Sequence, residues 1–216
     1  MIQKVILANR DEWLNFRHNY LGGSDAAAVV GLNPWKNNVE LWEEKTGIRE
    51  PAELSENALI QYGVGAEPLL RELFKLDYPQ YRMWYEENNS FINDKYPFAA
   101  ASLDGLLIDQ ETGALGIWEC KTATISGPAQ RHKWDDGIPN NYYCQVLFYM
   151  AVLDASFAIL KAQLKYQGDS YREPLLVTKH YRIERDETEI NYLMSNCAAF
   201  WENVKNRRRP NLTINI

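Results

Sequence analysis

The 216-residue sequence predicts an α/β (α+β) fold, a mixed central β-sheet flanked by helices. Three observations carry this expectation. Helical patterns gather toward the two ends of the chain, period-two patterns occupy residues 82–122 and return at 157–183, and a strongly apolar stretch, 140–153, lies between the strand regions where it can cross the sheet.

Taken in order, residues 10–18 read as a short helix that Leu21-Gly-Gly-Ser-Asp25 breaks, after which Ser24 can N-cap an Ala/Val-rich helix ending at Gly31. Asn38 is expected to cap residues 39–46, with Gly47 as the stop. A longer helical region, 55–77, carries Leu59, Leu69, Leu70, Leu73 and Phe74, and Gly63, Gly65 and Pro68 predict that it is kinked or divided. Strands follow at Met83-Trp-Tyr85, Phe91-Ile92, 102–108 and 115–122. A polar loop rich in Gly and Pro leads to the apolar helix 140–153. A hairpin of 157–166 and 175–183 is expected around Gln167-Gly-Asp-Ser170, and 185–206 is a final amphipathic helix. No linker or internal repeat divides the chain, so 1–216 reads as one domain, helical to about residue 78 and sheet-based from about 79.

A hydrophobic fraction of 46% and a charged fraction of 24% exclude disordered and collagen-like classes. The net charge of −6 excludes coating of nucleic acid by bulk charge, while leaving room for a local grip on phosphates. No apolar run reaches the ~18 residues of a membrane span, and Met1-Ile-Gln-Lys opens no secretory segment, so a cytosolic protein without membrane contact is expected. Cys120, Cys144 and Cys197 stand too far apart for a disulfide framework or zinc site, and are expected to be reduced core residues. His18, His132 and His180 lack metal-ligand spacing to one another.

The chemistry concentrates at Ala101-Ser-Leu-Asp-Gly105 and Trp118-Glu-Cys-Lys-Thr122, joined through the turn Gln110-Glu-Thr-Gly113. A turn centred between Glu111 and Thr112 sets Asp104 opposite Glu119, and strand alternation puts Glu119 and Lys121 on one face. Like charges directly opposite on a sheet repel. Lys121 can neutralise one of them, and two carboxylates so placed form an oxygen-ligand site for magnesium that would act on a phosphoryl group. A solvated salt bridge on an exposed hairpin is the alternative, disfavoured by the apolar Leu106, Ile108, Ile117 and Trp118.

Asp104 with Glu119-Cys-Lys121 resembles the PD-(D/E)XK nuclease superfamily, with Leu103 in place of the proline of its name. Arg17 with Gly22-Gly-Ser-Asp25, Asn33-Pro-Trp35, Leu41-Trp42, Lys45-Thr-Gly47, Gly65-Ala-Glu67 and residues 145–149 extend the likeness, and the series is similar to the YqaJ-like viral recombinase family, to which phage lambda exonuclease is related. The resemblance implies a restriction-endonuclease-like core and a magnesium-dependent exonuclease that digests one strand of linear duplex DNA from its 5′ end, leaving a 3′ overhang for a single-strand annealing protein. It implies a homotrimeric ring in a phage-infected or prophage-bearing bacterial cell. Asp104, Glu119 and the main-chain carbonyl of Cys120 would ligate metal, two Mg2+ ions with Mn2+ able to substitute. Lys121 would be the catalytic lysine, Glu67 would support the second metal or its water, and Gln145 and Tyr149 would complete the site. Arg17 and Ser24 would take the terminal 5′ phosphate, a role that a helix N-terminus at Ser24 would favour.

Trp35 is a candidate wedge against duplex DNA or a ring packed on its own loop, and Arg131 lines a DNA path or a solvated loop. The basic run Lys205, Arg207, Arg208, Arg209 meets phosphate or solubilises the terminus. An endonuclease or nickase of the same superfamily, and a binding module with a degenerate site, are the competing functions.

Overall fold

Hairpin pairing builds the sheet that positions everything else. The computed structural model describes residues 1–53, 56–135, 137–167 and 175–213. Strands β2 (Tyr81–Trp84), β5 (Gly105–Asp109), β6 (Leu115–Ile125), β7 (Phe157–Tyr166) and β8 (Leu175–Glu184) form a five-stranded sheet in the order β2-β5-β6-β7-β8. Only the central β6–β7 pair is parallel; the others are antiparallel. The mixed sheet with flanking helices is the predicted fold class.

The register of the β5–β6 hairpin follows from its turn. Gly113 donates to the Asp109 carbonyl at 2.8 Å, Asp109 N–H donates to the Ala114 carbonyl at 3.0 Å, and Gly113 takes a positive φ of 73°. Pairing then runs Ile108 with Leu115, Leu107 with Gly116, Leu106 with Ile117 and Gly105 with Trp118. Asp104 and Glu119 are the next positions along that ladder.

The two faces of the sheet have different covers. Helix α4 (Ala58–Asp77) lays Leu70 and Phe74 on Leu107, Trp118, Phe157 and Ile159. The opposite face, including Ile117, Ala158, Leu160 and Ala162, meets helix α6 (Asn140–Leu153), whose residues from Cys144 onward are all buried. Helices α2 (Gly23–Val29) and α7 (Glu187–Lys205) close over α6. On β6 this alternation sends Trp118 and Cys120 toward α4 and leaves Glu119 and Lys121 on the α6 side.

Several expectations change. A strand β1 (Ile2–Ile6) forms in the part expected to be helical, and pairs with β3 (Asn89–Asn93) in a second sheet, β1-β3-β4, with β4 limited to Ala100–Ala101. The strand expected at 102–108 begins only at Gly105, and residues 102–104 lie in no strand. A helix α5 (Pro128–Asp135) occupies part of the loop expected before α6; Trp134 is its one buried residue among those described. Helix α4 runs undivided from Ala58 to Asp77, because Pro68 removes one hydrogen bond on the exposed side, beside exposed Val64, while the sheet holds the face that bears Leu70 and Phe74.

Two caps shift by one or two residues. Gly22, not Ser24, is the N-cap of α2, its N–H bonded to Asp25 Oδ2 at 3.0 Å. Asn37, not Asn38, caps α3 (Asn38–Lys45), accepting from Val39 and Glu40 N–H at 2.9 Å each, whereas buried Asn38 bonds the main chain of Asn211 and Thr213. Helix α1 (Arg10–His18) and the β7 and α6 bounds match the sequence reading. The turn expected at Gln167-Gly-Asp-Ser170 falls largely outside the described residues. Cys120, Cys144 and Cys197 are free thiols, the latter two buried. Among the described residues no helix is long and apolar enough to cross a membrane.

Candidate active site

Glu119 is 1% exposed and sits at the centre of the site. Its Oε1 accepts from the Lys121 ammonium at 2.6 Å and from the Gln145 amide at 2.7 Å. Gln145 Nε2 also lies 3.1 Å from the Tyr149 hydroxyl, one turn further along α6. Asp104 reaches the same place from the end of β5, its Oδ2 accepting from the Cys120 N–H at 2.9 Å. The second oxygen of Glu119, Oε2, is buried and has no hydrogen-bond partner. An unmet buried carboxylate oxygen costs about 1–3 kcal/mol or more, so its retention calls for a ligand.

The electrostatics follow from crowding charge in a dry place. Burial, reinforced by the negative charge of Asp104, pushes Glu119 up to about 8. Glu67 is pushed up to about 7 by burial and then by Asp104, with Arg71 opposing. Burial also raises Asp104, against the pull of Lys121 and the Cys120 N–H. Burial alone would lower Lys121, but Glu119 and Asp104 hold it above its ordinary value. The ring of Tyr142, on the first turn of α6, lies 5.0 Å from the Lys121 ammonium.

Glu67, one turn before Arg71 on α4, is ion-paired with it. Among the described residues no three His, Cys, Asp or Glu side chains are gathered as a ready metal cage. The donors on offer are Asp104 and the free oxygen of Glu119, hard oxygens of the kind magnesium takes together with water and substrate phosphate. The Cys120 side chain turns away from these oxygens, to the α4 face.

A second cluster adjoins the first. Arg17 Nη2 donates to Ser24 Oγ at 2.9 Å, and its guanidinium stacks 4.6 Å from the Trp13 ring. Lys45 fastens the base of this cluster, donating to the Arg17 and Tyr20 carbonyls at 3.1 and 2.7 Å and pairing with Asp25 at 3.1 Å. Gly23 joins the two clusters by close packing: a Cβ there would stand 2.4 Å from Tyr149 Cε1 and 3.0 Å from Gln145 Cγ.

Trp35 is 72% exposed and does not fold back on its own loop alone; its ring leans on Tyr142 at 6.5 Å. Arg131 lies on α5, 4.9 Å over the Tyr166 ring, rather than on a loop. Lys205 pairs with Glu202 and Arg208 with Asn203. Sequence reasoning missed Arg71, which touches Glu67 and Asp104, Tyr142, which lies beside Lys121, and Tyr85, whose ring stacks on Arg71. The spacing of Glu67 and Arg71, four apart on a helix, was the one available signal.

The sequence profile of the YqaJ-like viral recombinase domain matches residues 12–156. The uncharacterized protein YqaJ of Bacillus subtilis (strain 168) is 29% identical over 194 residues, covering 89% of this chain and 56% of that protein; the chain thus spans little more than half of that relative. Among solved structures, the alkaline exonuclease LHK-Exo from Laribacter hongkongensis is 19% identical and superimposes with a TM-score of 0.64 over 92% of this chain and 94% of its own. A phage-related exonuclease from Haemophilus somnus 129PT is 13% identical, with a TM-score of 0.52 over 89% and 98% of the two chains. These likenesses establish the shared fold.

Proposed function

Because the chain belongs to the YqaJ-like viral recombinase family, we propose that it is a magnesium-dependent exonuclease that digests one strand of linear duplex DNA in the 5′-to-3′ direction. The single observation that supports this most is the pairing of Asp104 with a Glu119 whose buried Oε2 lacks a partner, beside the Lys121 ammonium. That donor set fits magnesium. Asp104, Glu119 and the Cys120 carbonyl would hold one ion, and Glu67 would serve a second or its water. Magnesium, when bound, supplies Lewis acidity at the scissile phosphate.

The chain's own groups do the rest. Lys121, held at 2.6 Å by Glu119, brings positive charge to where the phosphate gains negative charge. Gln145 and Tyr149 fix Glu119 from the α6 side. Arg17 and Ser24 receive the terminal 5′ phosphate, one packed glycine away from Tyr149, which gives digestion its start at an end. Exposed Trp35 and Arg131 contact the duplex. A homotrimeric ring would keep DNA threaded, and a single-strand annealing protein would take up the 3′ overhang.

End-labelled linear duplexes test this directly. Mononucleotides are expected from linear DNA only with magnesium, fastest with a 5′ phosphate, more slowly with a 5′ hydroxyl, and hardly at all from closed circles. Cleavage of closed circles at internal sites would replace the exonuclease reading with an endonuclease of the same superfamily.

The metal-free protein should lose stability as pH rises. Glu67 and Glu119 are raised from an ordinary value of 4.5 to about 7 and about 8, so each binds its proton more tightly folded than unfolded. Their contribution is complete below the ordinary value and is lost as pH climbs through the raised ones. In chelator the melting temperature is expected to fall across that window, and magnesium to offset the fall at its upper end by binding the folded state. A chelated protein whose melting temperature holds level or climbs there would contradict the burial of these charges.

A further inference from the structure

Arg71 is a charged residue only 5% exposed, one helical turn beyond Glu67 on α4. A buried guanidinium must have its charge balanced and its donors met. Its Nη2 pairs with Glu67 Oε1, and its Nε donates to the main-chain carbonyl of Asp104 at 2.8 Å. Its central carbon lies 3.3 Å from the centroid of the Tyr85 ring, with the Trp118 ring at 5.9 Å on the sheet. One flat group thus touches a helix carboxylate, the main chain of Asp104 and the ring of Tyr85.

We propose that Arg71 is a positioning residue for phosphodiester hydrolysis, fixing Asp104 and Glu67 relative to each other from a guanidinium stacked on Tyr85 near Trp118. The inference rests on the exonuclease reading for its reaction, but its contacts stand independently of it. Asp104 immediately precedes β5 and Glu67 lies on α4, so the distance between their carboxyls depends on how helix and strand are docked at this point. Arg71 sets that docking where it matters for an ion. A lysine would keep the charge, but it has no planar fork to reach a carbonyl and a carboxylate together while stacking on a ring.

Arg71→Lys is the test, read by steady-state kinetics on duplex ends and by calorimetric titration with magnesium alone. The expected result is a kcat about 30-fold lower with KM for DNA within about twofold, and magnesium affinity about tenfold weaker, the scale seen when a group that orients metal ligands is lost. Tyr85→Leu, at a side chain 37% exposed, is expected to give the same pattern more weakly, and Tyr85→Phe, which keeps the ring, to recover most of the loss. Should Arg71→Lys fail to fold, the Tyr85 pair decides. Wild-type kcat and magnesium affinity in the variants, or a loss confined to KM, would overturn the proposal. Asp104→Asn run alongside separates the two failures: an active Asp104→Asn removes the exonuclease site itself, whereas an inactive one beside an unaffected Arg71→Lys removes only the positioning role.

Discussion

Asp104→Asn is expected to yield a folded protein that still binds duplex ends but turns over about a thousandfold more slowly, a loss of about 4 kcal/mol in transition-state stabilisation. Asparagine is the informative replacement because its side-chain oxygen can still accept from the Cys120 N–H, which Asp104 Oδ2 now takes at 2.9 Å. The backbone of β6 therefore keeps its partner and only the negative charge goes. Part of the repulsion that raises Glu119 and Glu67 goes with it, so the variant should be at least as stable as the parent without metal. Single-turnover digestion at saturating magnesium, paired with a mobility-shift measurement on the same DNA, reads the two effects apart. Digestion at the parent's rate would take Asp104 out of the chemistry.

Gly23→Ala is expected to lower both stability and activity, although it adds a single methyl group. The added methyl would lie 2.4 and 2.8 Å from two carbons of the Tyr149 ring, and Tyr149 is 6% exposed, with little room to retreat. Overpacking of this kind costs about 1–3 kcal/mol, which in a chain of this length lowers the melting temperature by about 2–12 °C. Displacement of Tyr149 also disturbs Gln145, which holds Glu119 at 2.7 Å. Activity measured well below the melting point should therefore fall by more than the folded fraction does. An unchanged melting temperature would show that the ring gives way cheaply.

The parts of the molecule legible in the sequence are those governed by short-range geometry. A four-residue turn and strand alternation suffice to place Asp104 beside Glu119 and to put Lys121 on the same face. The apolar run at α6 and the polar alternation at α1 likewise declare their own limits. The sequence reading lost β1, whose five residues are largely exposed and gain their order from β3, more than eighty positions away. It lost α5, a polar helix held mainly through Trp134. It expected α4 to be kinked or divided at Gly63, Gly65 and Pro68, and the helix is not divided, because local propensity cannot weigh a proline against the sheet that packs on the other side of the helix. Arg71 is the instructive case at the site: on a helical wheel it is one more surface cation, and only the return of the chain at Asp104 and Tyr85 turns it inward.

The one parallel pairing in the large sheet bears on how the chain is made. A ribosome releases β2, β5 and β6 together with their turns, but the partner for the other side of β6 is β7, separated from it by α5 and α6. During that interval the strand with Glu119 and Lys121 presents an open edge, the feature by which nascent chains recruit unwanted neighbours. The strand that bears Glu119 and Lys121 is therefore enclosed late in synthesis, and translation pauses within residues 126–156 would lengthen the period in which chaperones must shield it.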